Sequence, residues 1–313
     1  MILIDEYGRQ IRKLRVSLLD ACNFRCFYCM PLNPQFTHPS KLLSSNEVVD
    51  ICSQLVERGI SQIRLTGGEP TLRKGFRDIV ARLSQLAISK LGITSNGLLL
   101  AQHLEFLKDH RCYHMNISLD SLVREKFNKI TRSESFDAVL KTIFEAKEMG
   151  FNLKINTVLM KGHNDDEIWD FVNFSASNDI EVRFLEAMNI GQIVSKKGSL
   201  FISAQSAIEK IEEKFELSPV VGTEQDSTSF NYSTKAGANI GFIASESKPF
   251  CGSCSRWRLS AKGMLRACLM SEKGVDLKDL LPAELEQKLN NLLKMKPINR
   301  IKEISQDMNQ IGG

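Results

Sequence analysis

With 313 residues, 42% of them hydrophobic and 25% charged, the chain has room for two domains or one α/β barrel, and its ordinary globular composition excludes a disordered or fibrous protein. No apolar run approaches the roughly 18 residues of a membrane span, and a net charge of +4 is too small to point to nucleic acid. Eight cysteines, six of them in two tight groups, suit metal binding in a reducing cytoplasm better than disulfides, and Met1-Ile-Leu-Ile-Asp-Glu-Tyr7 lacks the basic start and apolar core of a signal peptide.

Asp5 to Arg9 reads as a turn into a first strand, Lys13 to Leu18. Further strands are expected at Gln62 to Leu65, Leu91 to Thr94, His114 to Leu119, Leu153 to Leu159 and Glu181 to Leu185, each short and rich in Ile, Leu, Val or Thr. Apolar residues at three- and four-residue spacing predict helices between them, at Asn46 to Arg58, Gly75 to Leu86, Leu99 to Lys108, Phe136 to Met149 and Asp165 to Ala176, with Ser45 or Asn46 as the first N-cap. Six βα units imply a parallel sheet, either doubly wound or curled into a barrel. Unusual residues follow strand after strand at the C-terminal ends: the cysteines after the first, Thr66-Gly-Gly-Glu-Pro70 after the second, Ser95-Asn-Gly97 after the third, Ser118-Leu-Asp120 at the fourth, Glu186 to Gly191 after the sixth. That placement favours a barrel. After about residue 191 the pattern weakens to a helix over Ser203 to Phe215, a loop or hairpin over Gly222 to Gly237, a strand-like run from Asn239 to Ala244 and a helix over Leu277 to Met295. The expected division is a core barrel over 1–217 and a C-terminal region over 218–313.

Three groups of residues carry chemistry. Cys22-x3-Cys26-x2-Cys29 places three thiolates within eight residues, enough to wrap one iron-sulfur cube and leave its fourth iron open to a small molecule; a structural zinc site or buried free thiols are the alternatives, although no fourth ligand is near. Gly67-Gly-Glu-Pro70 lets backbone approach a ligand closely, or is a plain tight turn. Cys251-x2-Cys254-x13-Cys268 again offers three thiolates, or a zinc ribbon short of one ligand. On the fifth strand Lys154 shares a polar face with Asn156, and a charge pointing into a barrel needs a partner such as phosphate. Cys52 and Cys112 read as small buried hydrophobes, and Met188 as core packing if it is not in the site. The closing Gly312-Gly313 either threads into a narrow site or frays.

The first cysteine motif, with Tyr28 before its last cysteine, resembles the signature of radical S-adenosylmethionine (radical SAM) enzymes. Together with Asp5 to Arg9, Asn23 to Pro31, Arg64-x-Thr-Gly-Gly-Glu-Pro70, Gly162 to Ile168, Pro249 to Ser260, Gly263 to Leu269 and the terminal Gly-Gly, the chain is similar over most of its length to the GTP 3′,8-cyclase family, also called molybdenum cofactor biosynthesis protein A. The resemblance implies an α/β fold, a partial (βα)6 radical SAM barrel with a smaller C-terminal region carrying a second iron-sulfur cluster. It implies two [4Fe-4S] clusters, on Cys22, Cys26 and Cys29 and on Cys251, Cys254 and Cys268, and SAM held at Tyr28, Gly68, Ser118 and Met188. GTP would be held by Arg15, Arg64, Ser95, Lys154, Arg256, Trp257 through its backbone, and Arg258. The implied reaction turns GTP into (8S)-3′,8-cyclo-7,8-dihydroguanosine 5′-triphosphate through a 5′-deoxyadenosyl radical, the first step of molybdopterin biosynthesis. The implied partners are an electron donor and a downstream cyclic pyranopterin monophosphate synthase, with neither nucleic acid nor membrane; a homodimer is left open. The rivals are a two-cluster peptide maturase of the same superfamily and a non-catalytic, zinc-stabilised binding protein. Residues 32–40 and 192–240 depart most from the family's pattern.

Overall fold

The computed structural model describes residues 2–221, 226–278 and 282–312. The six expected strands form as β1 (Lys13–Ser17), β2 (Gln62–Thr66), β3 (Lys90–Ser95), β4 (His114–Ser118), β5 (Asn152–Leu159) and β6 (Glu181–Glu186), and they lie side by side in that order, all parallel. Alternation sets the two faces of each strand. Along β5, Leu153, Ile155, Thr157 and Leu159 are buried on the outer face, while Lys154, Asn156 and Val158 alternate with them towards the lumen. Leu14 and Val16 on β1, and Ile63 and Leu65 on β2, repeat the pattern against Arg15 and Arg64. A doubly wound sheet would bury both faces and read as near-continuous apolar runs.

The outer face is covered by α1 (Ser45–Val56), α2 (Phe76–Leu83), α3 (Leu104–Asp109), α4 (Arg124–Thr131), α5 (Phe136–Glu148) and α6 (Ile168–Asn178). Three details differ from the sequence-based expectation. The N-cap of α1 is Ser44, one residue earlier than expected, because Glu47 completes a capping box with it. The stretches beginning at Leu99 and Asp165 each open with a 3-10 turn, Ala101–His103 and Asp165–Glu167, before the helix proper. Helix α4 is an addition, too polar on average to stand out by periodicity, and it buries Phe127 and Ile130. Ser44→Ala is expected to cost about 1 kcal/mol, read as a lower midpoint in urea unfolding.

The chain beyond residue 217 enlarges the same sheet at both edges. β7 (Leu217–Pro219), β8 (Phe230–Thr234) and β9 (Asn239–Ile243) follow β6, with β9 parallel to it and β8 closing an antiparallel hairpin on β9. At the other edge β10 (Arg256–Leu259) is parallel to β1, and β11 (Met264–Arg266) and β12 (Val275–Asp276) continue antiparallel. The order of the twelve strands is β12-β11-β10-β1-β2-β3-β4-β5-β6-β9-β8-β7. Residues of β6 and β10, far apart in that order, line the same cavities, so the sheet is strongly curled around a lumen. Of the helix expected over Leu277 to Met295, Pro282–Lys294 is helical; Val275–Asp276 form β12 just before it, and residues 279–281 lie outside the described residues. Among the described residues no helix is long and apolar enough to cross a membrane.

Candidate active site

Two cavities, of about 320 and 390 Å³, occupy the lumen and share Arg15, Asn116, Arg183, Thr228 and Arg256 in their walls, so they adjoin across those side chains. The upper one opens at the C-terminal strand ends. All six motif cysteines line it, the first set on one side and Cys251, Cys254 and Cys268 on another.

Cys22, Cys26 and Cys29 are half-buried on the loop that leaves β1. Burial pushes the Cys22 thiol up to about 11 and Cys29 to about 12, and raises Cys26 well above its ordinary value. Thiols so placed stay protonated at neutral pH unless a metal displaces the proton, which is the donor chemistry a cluster demands. Among the described residues no three metal-binding side chains converge on the position of a single ion. In a [4Fe-4S] cluster each thiolate takes a different iron, so the ligands of one set need not converge on a single point.

The paired glycines explain themselves by contact. A Cβ on Gly68 would run into the Ala21 carbonyl, and Gly67, at φ +146°, lies against Leu19. The Gly68 and Glu69 amides donate to the Leu19 and Ala21 carbonyls at 2.7 and 2.8 Å, pinning the turn beneath the cysteine loop. Glu69, fully buried, accepts from Ser95 Oγ, Thr71 Oγ1 and the Asn96 amide and so ties the ends of β2 and β3 together. Tyr28 donates to Asp120 Oδ2 at 2.7 Å, and the Val158 amide donates to the other oxygen. Burial pushes Asp120 up to about 6 although both hydrogen bonds oppose it. Ser118 and Met188 reach the same wall.

Of the expected nucleotide-binding residues, Arg15, Ser95, Arg256 and Arg258 line the upper cavity, and Arg15, Arg64, Lys154 and Arg256 the lower one. The Trp257 side chain points into the core between its two arginine neighbours. The Ser95 hydroxyl is already engaged, donating to Glu69 and accepting from the Gly97 amide. Sequence reading missed Arg183, which alternates with buried Val182 and Phe184 on β6 as Lys154 does on β5; the same pattern reveals it. Glu181 bridges Lys154 and Arg183 at 2.6 and 2.5 Å. Burial, then the charges of Arg258, Arg256, Arg64 and Arg183, push Arg15 well below the ordinary guanidinium value, and burial with Arg256 brings Arg258 down to about 10. The lower cavity carries seven Lys and Arg side chains against two carboxylates, Glu181 and Asp226. One buried nitrogen of Arg256, Nη2, has no hydrogen-bond partner among the described residues. A guanidinium cluster of this kind is costly unless an anion completes it.

The chain's last described residues reach this space. Arg258 Nη1 donates to the Gly312 carbonyl at 2.6 Å, and Gly312, at φ +85°, sits so close to Ser17 that a Cβ would come within 2.7 Å of the serine Cβ. Ile304 and Ile311 pack with Ile190 and Met270, against Met188 and Cys268. Gly312 is thus threaded rather than frayed; Gly313 lies outside the described residues.

This curled βα sheet with three cysteines after its first strand defines a radical SAM enzyme, and the model of the radical SAM superfamily matches residues 16–175. A second model, Molybdenum Cofactor Synthesis C, matches residues 180–305. The GTP 3′,8-cyclase of Synechocystis sp. is 45% identical over 311 residues, 99% of this chain and 95% of that protein. Those of Aquifex aeolicus and Petrotoga mobilis are 37% and 38% identical, covering 90% and 99% of this chain and 89% and 100% of theirs. The chain belongs to the GTP 3′,8-cyclase family. In fold it is similar to the crystal structure of Streptococcus suis SuiB bound to precursor peptide SuiA, at a TM-score of 0.65 and 15% identity, over 92% of this chain and 68% of that one. Membership of the superfamily implies a [4Fe-4S] cluster and SAM.

Proposed function

We propose that this chain converts GTP into (8S)-3′,8-cyclo-7,8-dihydroguanosine 5′-triphosphate and so opens molybdopterin biosynthesis. The observation that carries the reading is the arginine cluster of Arg15, Arg64, Arg183, Arg256 and Arg258, walled into one lumen beneath two cysteine sets. A triphosphate brings close to four negative charges, and guanidinium forks bind its oxygens bidentately.

Cys22, Cys26 and Cys29 would hold the first cluster, and Cys251, Cys254 and Cys268 a second; Tyr28, Gly68, Ser118 and Met188 would hold SAM. When bound, the first cluster and SAM supply the 5′-deoxyadenosyl radical. The protein's share is positioning and exclusion of water. Asp120 fixes the Tyr28 ring through its hydroxyl, and the Gly67-Gly68 turn keeps backbone close to the cysteine loop. Arg15, Arg183 and Arg256, in the walls of both cavities, can follow the phosphate chain downwards, with Lys154 and Arg64 at its end. The Arg258 hydrogen bond to Gly312 keeps the tail across the mouth. The functional division follows 1–217 for the radical and 218–313 for the second cluster, with the nucleotide held between residues of both. An external electron donor and a downstream cyclic pyranopterin monophosphate synthase complete the scheme.

Anaerobic incubation with SAM, dithionite and GTP tests it: 5′-deoxyadenosine should form as GTP is consumed. Deoxyadenosine formation indifferent to GTP would sink the reading. Arg183→Ala should raise KM for GTP roughly tenfold, the worth of about 1.5 kcal/mol for one charge-assisted hydrogen bond, in steady-state assays.

A further inference from the structure

Behind the second cysteine set stands one buried side chain that no part of the reaction scheme uses. Lys296 follows helix Pro282–Lys294 and is 3% exposed. Its Nζ meets three acceptors: Cys254 Sγ at 3.5 Å, the Arg256 carbonyl at 2.9 Å and the Ala267 carbonyl at 3.0 Å. An ammonium has three N–H donors and no acceptor, so three acceptors match the protonated form, whereas a neutral amine would leave one of them unpaired.

The lysine is itself held in place. Arg9 Nη2 donates to the Lys296 carbonyl at 3.1 Å, and Arg9 Nη1 to the carbonyls of Pro297 and Cys251 at 2.9 and 2.7 Å. Asp5 fixes Arg9 in turn at 2.6 Å. One network therefore reaches all three cysteines, Cys254 through its sulfur, Cys268 through the carbonyl before it, and Cys251 through Arg9. Cys22 in the first set meets neutral donors instead, the Phe24 amide at 3.4 Å and the Asn96 side-chain amide at 3.6 Å.

We propose that Lys296 is a positioning residue that donates a charge-assisted N–H···S hydrogen bond to Cys254 and holds the second iron-sulfur cluster at a higher reduction potential than the same three thiolates would give alone. This rests on the reading that Cys251, Cys254 and Cys268 bind a cluster. A donor on a ligating sulfur draws electron density away from the irons and favours the reduced state, which carries one more negative charge. The two clusters are thereby set apart in potential by their protein surroundings.

The test uses the full-length protein reconstituted with iron and sulfide without oxygen, an iron count, and a dithionite titration followed by electron paramagnetic resonance; a Cys26→Ala background isolates the second cluster. Wild type, Lys296→Met and Lys296→Gln should each carry about eight irons. The second cluster's midpoint should move to more negative potential in Lys296→Met and, less far, in Lys296→Gln, with the first cluster unmoved. Should Lys296→Met fail to fold, Lys296→Gln carries the test, because it keeps an N–H donor and loses the charge. An unchanged midpoint at full iron content makes the lysine a strut between two carbonyls and overturns the proposal, as does loss of about four irons in both variants. Four irons, or zinc, in the wild type overturns the second-cluster reading itself, and the proposal with it.

Discussion

Replacing Cys26 by alanine is expected to leave about four irons of eight after anaerobic reconstitution and to reduce 5′-deoxyadenosine formation to background. Cys26 is the middle ligand of the first set, and without it two thiolates remain, too few to hold the cube. Cys268→Ala should also leave about four irons, but with the opposite outcome in activity. SAM should still be cleaved, slowly and without consumption of GTP, because the radical-forming side of the cavity is intact. Iron analysis and chromatography of the products distinguish the two variants. Indistinguishable behaviour would remove the division of labour between the two sets.

Arg258→Ala should lower kcat/KM for GTP by on the order of 10²- to 10³-fold, about 3 to 4 kcal/mol, since it removes a buried fork worth two charge-assisted hydrogen bonds. The side chain is 8% exposed and anchors the Gly312 carbonyl, so its loss also releases the tail from the mouth. Arg258→Lys keeps the charge without the fork and should recover only part of the loss. Steady-state kinetics with GTP decides the matter, and a kcat/KM equal to wild type would exclude Arg258 from the nucleotide site.

The barrel was legible because its strands alternate cleanly and its odd residues fall at one end of them; Arg64, Lys154 and the glycines of Gly67-Gly68 all stand where that pattern implies. Arg183 is equally readable by the same rule, since it alternates with buried Val182 and Phe184. Long-range partners were not legible. Nothing in the sequence near Asp120 announces Tyr28, and nothing near Lys296 announces Cys254, 42 residues earlier. Likewise the stretch from Gly222 to Gly237 reads as a loop or hairpin, and its described part supplies β8, which closes the hairpin on β9; that β9 in turn lies against β6 is a pairing propensity alone cannot see.

The strands that flank the barrel also constrain how the protein is made. β1 pairs with β10 across some 240 residues of chain, and β9 seals β6 at the opposite edge. Until the last third of the polypeptide has been synthesised, the nascent barrel carries two unpaired parallel edges, the condition that invites intermolecular strand addition and slow, chaperone-dependent maturation. Assembly of the catalytic chamber is therefore coupled to synthesis of β9 and β10, so a product truncated before them would emerge with its lumen unsealed and its edges open.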